Sequence, residues 1–577
     1  MPPYHEPPPS RVQWPRPSAW GAAAACLWIL FCLRWFDAGA AFRPAWLTAL
    51  PSPLLGLPLL VLALAWLWSG RERGEEGPAL WGGALLVVVL AVLFRLPLVV
   101  QGAAGAVTPD GALSGIVALH IRDGIDHLVF VPHVPYSGSL KSHLTAPLAA
   151  LIDPARAFAL VSVLFFAAFV AGVYRLGSLV SGRDSGTAVA AGLYLAFGPP
   201  FLTRYSLSND GNYVEVLALG TWALWLAARW ALEEEGRPRR ALKAGLLLGL
   251  AFWCHILAVI HLTAVVLALV VFGRRRAPRS LLALAGGFAL GYLPGWLWNA
   301  GNGWESFLYL MPGGPAVGGE DSGAGLGQRL VGMVTDHWPI LMGYDPGHAP
   351  LLDAVLLVLA WLSVGLAVLA TARAVGAAWR LRSRPLTLLL LFAAVNLAVA
   401  LLALPHVPGN PRYLLFLMAP LPIFLAEALP GSRRWVLVLA VAFGALGSVA
   451  QAEGTMLADG KWRAFVAGLE REGVRWCYTD FFLATKINFL SGERVTCSAK
   501  LGPTTTEYFF EYREGVERAP EAALVAVNMT AADRMGRRLS ELGVAYERRD
   551  LMKPVFVRLS RKVEPSELFP GRSFAPR

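Results

Sequence analysis

The sequence has little charge for its length. Of its 577 residues, 15% are Asp, Glu, Lys or Arg, whereas 56% are hydrophobic and 21 are Trp. This composition excludes an ordinary set of soluble domains and predicts a membrane protein. The net charge of +11 does not indicate nucleic-acid binding, because the basic residues form short clusters between apolar runs.

Cysteine is also scarce, and no group of residues has the spacing of a metal site. Three of the five cysteines lie in apolar runs, where we expect packing roles (Cys26, Cys32 and Cys254). There are no Cys or His pairs at ligand spacing and no Asp-x-Asp motif in the polar loops described below. The sequence therefore predicts no metal ligands, although it leaves a divalent cation open as a cofactor.

Long apolar runs, each near the roughly 20 residues that cross a bilayer, follow a polar tail at residues 1–18. The connecting loops are either basic or poor in Lys and Arg, and the positive-inside rule places the basic ones in the cytoplasm. The loops 101–150, 201–212, 299–350 and 405–412 are then external. The runs lie at about 19–36, 54–69, 80–100, 154–176, 186–201, 213–231, 244–272, 280–298, 351–371, 386–404, 413–429 and 435–450.

The stretch Ala244–Phe272 tests this topology, because basic residues flank both of its ends. As one span, it would place the later basic loops outside. As a hairpin of two short helices, it keeps them inside, with Cys254 and His255 near a tip within the membrane. We prefer the hairpin, which implies a polar cavity that opens outward. The chain is then an α-helical polytopic membrane protein of about 13 spans over residues 19–450, with a cytoplasmic N-terminus.

Residues 451–577 differ in character, because charge rises and short strand patterns alternate with helical ones. Strands are predicted at Trp476–Tyr478, Val495–Ser498, Leu524–Val527 and Val555–Leu559, and helices at Phe481–Leu490 and Ala531–Leu542. We expect a small external α/β domain. Cys477 and Cys497 then lie near successive strands in an oxidising compartment, either as a disulfide or as two buried thiols.

Several short motifs resemble those of GT-C glycosyltransferases, in particular the bacterial relatives of protein mannosyltransferases and of the lipid A aminoarabinose transferase. The resemblance spans roughly residues 80–500. Its motifs are Phe94-Arg95-Leu96-Pro97 before a loop with Asp110 and the surface-type helix Ala112–Ile121, then Ala244–His255, Pro294–Gly303, Asn410-Pro411-Arg412-Tyr413, Tyr478–Phe481 and Asn488–Arg494. The lack of a nucleotide-binding loop agrees with a donor other than a nucleotide sugar.

The resemblance implies that Asp110 is the catalytic base or orients the acceptor; the alternative is helix capping. The family often has Asp-Glu where this chain has Asp110-Gly111, which leaves a second acid unassigned. Asp210, in an Asn-Asp-Gly turn, and Glu215, at the start of an apolar span, are candidates for that acid or for orienting the acceptor. Asp210 alternatively only shapes the turn.

A carrier phosphate needs a cation, because negative charge grows on it as the bond to the sugar breaks. Arg412 is the first candidate, and its alternative role is snorkelling at the membrane interface. Arg204 and Lys141 are weaker candidates. His255, His143 and His337 are predicted to line the cavity, although a lone His in an apolar run, such as His255, is commonly a packing residue. The stretch Gly313–Gly327 is predicted to be a lid.

These observations predict a glycosyltransferase, with inversion and a polyprenyl-phosphate sugar donor implied by the resemblance. The acceptor is an envelope lipid, glycan or protein. We expect contacts with membrane lipids, no nucleic-acid partner, and a place in a bacterial inner membrane with the C-terminal domain periplasmic. The alternatives are a transporter or flippase of a lipid-linked or polar solute, and a non-catalytic scaffold or sensor that binds through residues 451–577.

Overall fold

A computed structural model describes residues 17–51, 54–58, 78–182, 185–208, 211–233, 237–273, 277–309, 325–347, 350–404, 407–429, 434–501 and 507–570. Contacts divide the chain into two units, Met1–Gly77 and Pro78–Arg577. Most of the predicted tail 1–18, most of the predicted span 54–69 and most of the stretch Gly313–Gly327 lie outside the described residues. The first unit contains helix α1 (Pro17–Trp35), a 3₁₀ helix (Asp37–Phe42) and the short helix α2 (Ala45–Thr48).

The second unit is helical up to residue 471, apart from one small hairpin. Its helices are α3 (Pro78–Gln101), α4 (Ala103–Ala106), α5 (Pro109–Asp123), α6 (Leu140–Ala149), α7 (Pro154–Val180), α8 (Ser185–Ala196), α9 (Pro200–Tyr205), α10 (Tyr213–Leu232), α11 (Pro238–Cys254), α12 (Val259–Gly273), α13 (Ala277–Gly291), α14 (Leu293–Gly301), α15 (Glu305–Leu308), α16 (Leu326–Gly332), α17 (Trp338–Leu341), α18 (Pro350–Leu381), α19 (Arg384–Leu402), α20 (Leu421–Ala428) and α21 (Arg434–Arg471). Strands β1 (Phe130–Val131) and β2 (Val134–Gly138) form the antiparallel hairpin, which lies between α5 and α6.

Six helices within the described residues are long and apolar enough to cross a membrane, and a bent pair makes a seventh. This agrees with a polytopic membrane protein, whereas the count of 13 spans stays a prediction. The predicted span at 280–298 is α13 and α14, bent by 65°. The predicted span at 413–429 is instead a 3₁₀ helix (Arg412–Met418) followed by α20, because Pro420 and Pro422 lack the N–H groups that a continuous helix needs.

The chain does turn back within 244–272, as the sequence predicted. The Asn212 side chain, just before α10, donates to the Cys254 carbonyl at 2.9 Å, so α11 ends beside the start of α10. Helix α12 then runs back along α10, with His261 against Gly220 and Gly273 against Trp230. The arms have 17 and 15 residues, about 25 and 22 Å, and are longer than predicted because α11 already begins at Pro238. The depth of the tip stays a prediction.

The C-terminal region forms the predicted α/β domain, which we call the tail domain (residues 476–570). Its helices are α22 (Phe481–Leu490), α23 (Phe510–Arg518), α24 (Met529–Glu541) and α25 (Pro565–Leu568), and its strands are β3 (Trp476–Tyr478), β4 (Thr496–Ser498), β5 (Ala523–Val525), β6 (Glu547–Asp550) and β7 (Pro554–Val557). The strand order is β4-β3-β5-β7-β6, with β3 parallel to β4 and β5. Strand β7 is antiparallel to β5 and β6. Cys477 and Cys497 are register partners on β3 and β4 and form a disulfide, which decides between the two alternatives.

Two features join the tail domain to the helical part. Helix α21 is continuous from Arg434 to Arg471, so residue 451, where we expected the C-terminal region to begin, lies inside a helix. The predicted surface-type helix is α5, and its residues from Gly111 to Ile121 are all buried, partly because Phe489 of α22 lies against Gly115. A side chain at Gly115 would come within 2.5 Å of the Phe489 ring. Helix α5 is therefore enclosed by the protein.

Candidate active site

The hairpin β1–β2 is held against the break between α11 and α12. Ser137 forms an antiparallel bridge with His255, and the Asn212 amide donates to both the Ser137 hydroxyl and the Gly138 carbonyl. A Cβ atom on Gly138 would lie 2.1 Å from the Trp253 carbonyl oxygen, so only glycine allows this approach. The hairpin therefore fixes the side chains of β2 relative to the broken helix.

Asp110 lies in the first turn of α5 and is exposed. The helix cap is Thr108, whose hydroxyl accepts a hydrogen bond from the Gly111 N–H at 3.1 Å, so the capping role falls on another residue. The negative charge of Asp110 acts on two tyrosines. It adds to the effects of burial and of Tyr309 in raising the pKa of Tyr136, and it adds to burial in raising the pKa of Tyr508.

A row of aromatic side chains leads away from Tyr136. The Tyr136 ring lies 5.5 Å from the His255 ring, which lies 5.2 Å from the Tyr213 ring. His255 is 6% exposed, and its Nδ1 atom accepts a hydrogen bond from the Leu257 N–H. It is therefore both a packing residue and part of this row.

Arg412 stands at the far end of the row. Tyr213 interacts electrostatically with Arg412, whose Nη2 atom donates to the Tyr413 hydroxyl at 2.9 Å. The guanidinium carbon lies 4.9 Å from the centre of the Tyr413 ring. The Nε atom of Arg412 is buried and has no hydrogen-bond partner among the residues that the structure describes. We call Asp110, Tyr136, His255, Tyr213 and Arg412 the catalytic row, after the role that we propose for it.

The loop before Arg412 is tied to its neighbours. Asp336 accepts from the Gly409 N–H at 2.7 Å, and the His337 Nε2 atom donates to the Val407 carbonyl at 2.9 Å. The Tyr205 hydroxyl donates to Asn410 at 3.1 Å. His337 thus holds this loop, which is a more specific role than the predicted lining of a cavity.

The other predicted cation and acid candidates are placed differently. Lys141 and Glu215 are 1% and 0% exposed, and the Lys141 Nζ atom lies 3.5 Å from a Glu215 carboxylate oxygen. Each therefore neutralises the other inside the protein, and we exclude both from the proposed site. Arg204 is exposed, with its guanidinium 5.7 Å from the Tyr205 ring centre.

His143 and Asp210 complete the predicted residues. His143 lies on α6, where its Nδ1 atom donates to the Ser139 carbonyl, and its ring is 6.3 Å from that of His127. Asp210 lies outside the described residues, so its predicted role stays a prediction. Within the described ranges, no group of three or more His, Cys, Asp or Glu side chains could hold a metal ion.

The tail domain contributes a cluster that the sequence did not reveal. His120, on the same helix as Asp110, is 2% exposed and contacts Asp126 at 3.3 Å and Glu493 at 3.0 Å. Burial alone would lower the pKa of His120, but its two carboxylate partners raise it to about 10. The Tyr512 hydroxyl also donates to Glu493. This charged cluster fixes α5 to the tail domain.

Four tyrosines were missed as site residues: Tyr136, Tyr213, Tyr309 and Tyr508. Three of them carried a usable signal, because Tyr136 and Tyr309 lie within predicted external loops and Tyr213 lies next to one. Tyr508 carried none, because only the fold brings its distant segment into electrostatic reach of Asp110.

The chain is similar to known glycosyltransferases in part of its sequence and in its fold. Residues 142–405 match the model of Glycosyltransferase family 87. The fold is similar to ArnT from Cupriavidus metallidurans in the apo state, with a TM-score of 0.54 and 13% identity over 81% of this chain and 97% of that chain. For the same protein bound to undecaprenyl phosphate, the TM-score is 0.53 with 12% identity, over 82% and 98% of the two chains.

A weaker likeness, with a TM-score of 0.46 and 13% identity, is to the archaeal oligosaccharyltransferase AglB from Archaeoglobus fulgidus in complex with an inhibitory peptide and a dolichol-phosphate, over 80% of this chain and 71% of that chain. No curated protein matches the sequence. The predicted resemblance is nevertheless confirmed: residues 142–405 match the model of Glycosyltransferase family 87, and the fold is similar to that of ArnT.

Proposed function

We propose that the chain transfers a sugar from a polyprenyl-phosphate carrier to an acceptor on the external face of the membrane. The observation that carries this proposal is the catalytic row. An exposed carboxylate, Asp110, stands at one end, and a guanidinium with a buried, unused N–H donor, Arg412, stands at the other. Glycosyl transfer from a phosphate carrier needs these two groups, a base for the acceptor and a cation for the leaving phosphate.

Arg412 is suited to the leaving phosphate. Its Nη2 atom donates to Tyr413, so the guanidinium is oriented, whereas the Nε–H group is available to donate a hydrogen bond to an oxygen of the phosphate. As the bond from the anomeric carbon to the phosphate oxygen breaks, its electron pair stays on that oxygen. A fixed cation stabilises this growing charge more than it stabilises the bound donor.

Asp110 is suited to activating the acceptor. The acceptor hydroxyl attacks the anomeric carbon from the face opposite the phosphate, and its proton passes to the Asp110 carboxylate. One bond forms as the other breaks, so the configuration at the anomeric carbon inverts. The catalytic row separates the two charges, which agrees with attack and departure on opposite faces of the sugar.

Three observations support the carrier and the side of the membrane. ArnT, whose fold this chain shares, has been solved with undecaprenyl phosphate bound. The Cys477–Cys497 disulfide is typical of a compartment outside the cytoplasm, such as the periplasm of a bacterium. The Lys and Arg pattern places the loops with Asp110 and Arg412 on that same side. We therefore propose an inner-membrane enzyme with an envelope acceptor.

The proposal is tested by supplying reconstituted protein with a panel of polyprenyl-phosphate sugars and an envelope extract, and measuring both sugar transfer and release of carrier phosphate. Asp110→Asn removes the base, and we expect transfer to fall by about a hundredfold or more. Asp123→Asn is the matched control, because Asp123 ends the same helix and pairs with Arg122. Equal activity of the two variants would contradict the role of Asp110. Movement of carrier across the bilayer without transfer would instead favour a flippase.

A further inference from the structure

One aromatic side chain of the tail domain, Tyr508, lies against the turn of the β1–β2 hairpin. The Tyr508 ring lies 5.2 Å from Phe481 of α22 and 6.1 Å from His133, at the turn of the β1–β2 hairpin. Phe510 also lies against His133, at 5.4 Å. Tyr508 also interacts electrostatically with Asp110, at the carboxylate end of the catalytic row.

Tyr508 has two companions from separate parts of the chain. The Tyr136 and Tyr309 rings are 4.6 Å apart. Tyr309 also acts electrostatically on Tyr508. All three side chains are half-buried, so each is held by the protein and still presents part of its ring. Asp110, an exposed carboxylate, acts electrostatically on Tyr136 and Tyr508.

The segment that carries Tyr508 is anchored on both sides. Glu507, before it, accepts hydrogen bonds from the Ser498 hydroxyl and the Ala499 N–H, each at 2.9 Å. Phe509, after it, is buried with its ring 5.2 Å from that of His120. Because His120 lies on the same helix as Asp110, these contacts fix the position of Tyr508 relative to the carboxylate. A ligand would therefore find the two groups already positioned.

We propose that Tyr508, Tyr136 and Tyr309 form the acceptor subsite and that it binds a pyranose ring of a saccharide acceptor, with Tyr508 supplied by the tail domain. This inference rests on the proposed function and names its acceptor class. Ring faces carry negative charge density that attracts the C–H face of a sugar, while tyrosine hydroxyls and a carboxylate bind its hydroxyl groups. An apolar acceptor would leave Asp110 and the phenol hydroxyls unsolvated, and an anionic one would meet the charge of Asp110.

The test measures saccharide binding without any need for turnover. Wild-type protein in nanodiscs is titrated with methyl hexopyranosides and hexose disaccharides, and binding is followed by saturation-transfer NMR. Tyr508→Ala removes the ring and should weaken binding of the preferred saccharide by about tenfold or more. Tyr508→Trp keeps an aromatic face and should stay within about threefold of wild type.

The matched control is Tyr546→Ala, which removes a half-buried tyrosine of the same domain that packs on Phe556, 5.1 Å away. Equal weakening by Tyr508→Ala and Tyr546→Ala would overturn the subsite, because it would show a general loss of the domain. Failure of wild type to bind any saccharide would overturn it as well. If no saccharide binds but a Ser/Thr-rich peptide binds in a way that depends on Tyr508, the saccharide proposal is overturned and the acceptor class is protein.

The same samples separate this inference from the proposed function. Release of carrier phosphate from a polyprenyl-phosphate sugar reports the donor side, which does not require Tyr508. Saccharide binding that depends on Tyr508, without any cleavage of donor, would sustain the subsite and overturn the glycosyltransferase. Donor cleavage that depends on Arg412, without saccharide binding, would sustain the enzyme and overturn the subsite.

Discussion

Replacement of Arg412 by Gln separates catalysis from stability more sharply than any other single change in the catalytic row. The variant removes the positive charge and keeps an amide of similar length. Within the described structure, Arg412 donates to the Tyr413 hydroxyl and stacks on its ring at 4.9 Å, while its Nε atom is buried without a partner.

The structural losses from this change are small. The hydrogen bond contributes about 1 kcal/mol and the cation–ring contact about 0.5–1 kcal/mol. Removal of a buried, unsatisfied N–H offsets them by about 1–3 kcal/mol. The free energy of unfolding should therefore change by about 1 kcal/mol or less. Loss of a cation at the leaving phosphate should lower the transfer rate by about 10²- to 10³-fold, or about 2.7–4 kcal/mol of transition-state stabilisation.

The assay pairs thermal unfolding, followed by tryptophan fluorescence, with the rate of carrier-phosphate release on the same preparation. Arg412→Lys should fall between wild type and Arg412→Gln, because lysine keeps the charge but not the fork of donors. Arg373→Gln is the control, because Arg373 hydrogen bonds the Ala428 carbonyl near the opposite ends of the helices. A stability loss in Arg412→Gln with an unchanged rate per folded molecule would refute the reasoning.

Two further predictions concern groups outside the catalytic row. Lys141→Met leaves the Glu215 charge buried and should destabilise the protein by about 3–5 kcal/mol. The double variant with Glu215→Gln should recover most of this loss. Equal melting temperatures of wild type and Lys141→Met would argue against a structural ion pair. Burial raises the pKa of Glu507 from 4.5 to about 7, so the fold favours its protonated form. Its stabilising contribution is complete below pH 4.5 and is lost as the pH rises through 7, by at most about 3 kcal/mol. Unfolding measured at pH 5 and pH 8 should show this loss in wild type and not in Glu507→Gln.

Much of the fold was readable because its signals are local. Apolar runs predicted most of the long helices, basic clusters at both ends of Ala244–Phe272 predicted the turn at His255, and strand patterns predicted β3, β4, β5 and β7 of the tail domain. The ends of helices were less readable than their presence. Helix α21 continues past residue 451, where the sequence changes from apolar to polar. The change in composition therefore does not mark the end of the helix.

The proposed site could be predicted only in part from the sequence, because its remaining members meet through long-range contacts. Charge at a membrane surface indicated Asp110 and Arg412, but the same logic selected Lys141 and Glu215, whose separation of 74 residues hid their pairing. A buried ion pair and a catalytic charge look alike in a sequence, since both are costly groups in apolar surroundings. Tyr508, almost 400 residues from Asp110, gave no local signal.

The position of the tail domain bears on the alternative of a separate binding module. Helix α5 carries Asp110 at its start and His120 near its end, about 15 Å apart at 1.5 Å per residue. Glu493 of the tail domain holds His120, Phe489 packs on the middle of the helix, and Tyr508 reaches the Asp110 end. A helix held by the tail domain at two points links the placement of the domain to the position of the carboxylate. A module that only captured a ligand would have no need of these contacts, whereas an enzyme that must align an acceptor hydroxyl with its base requires them.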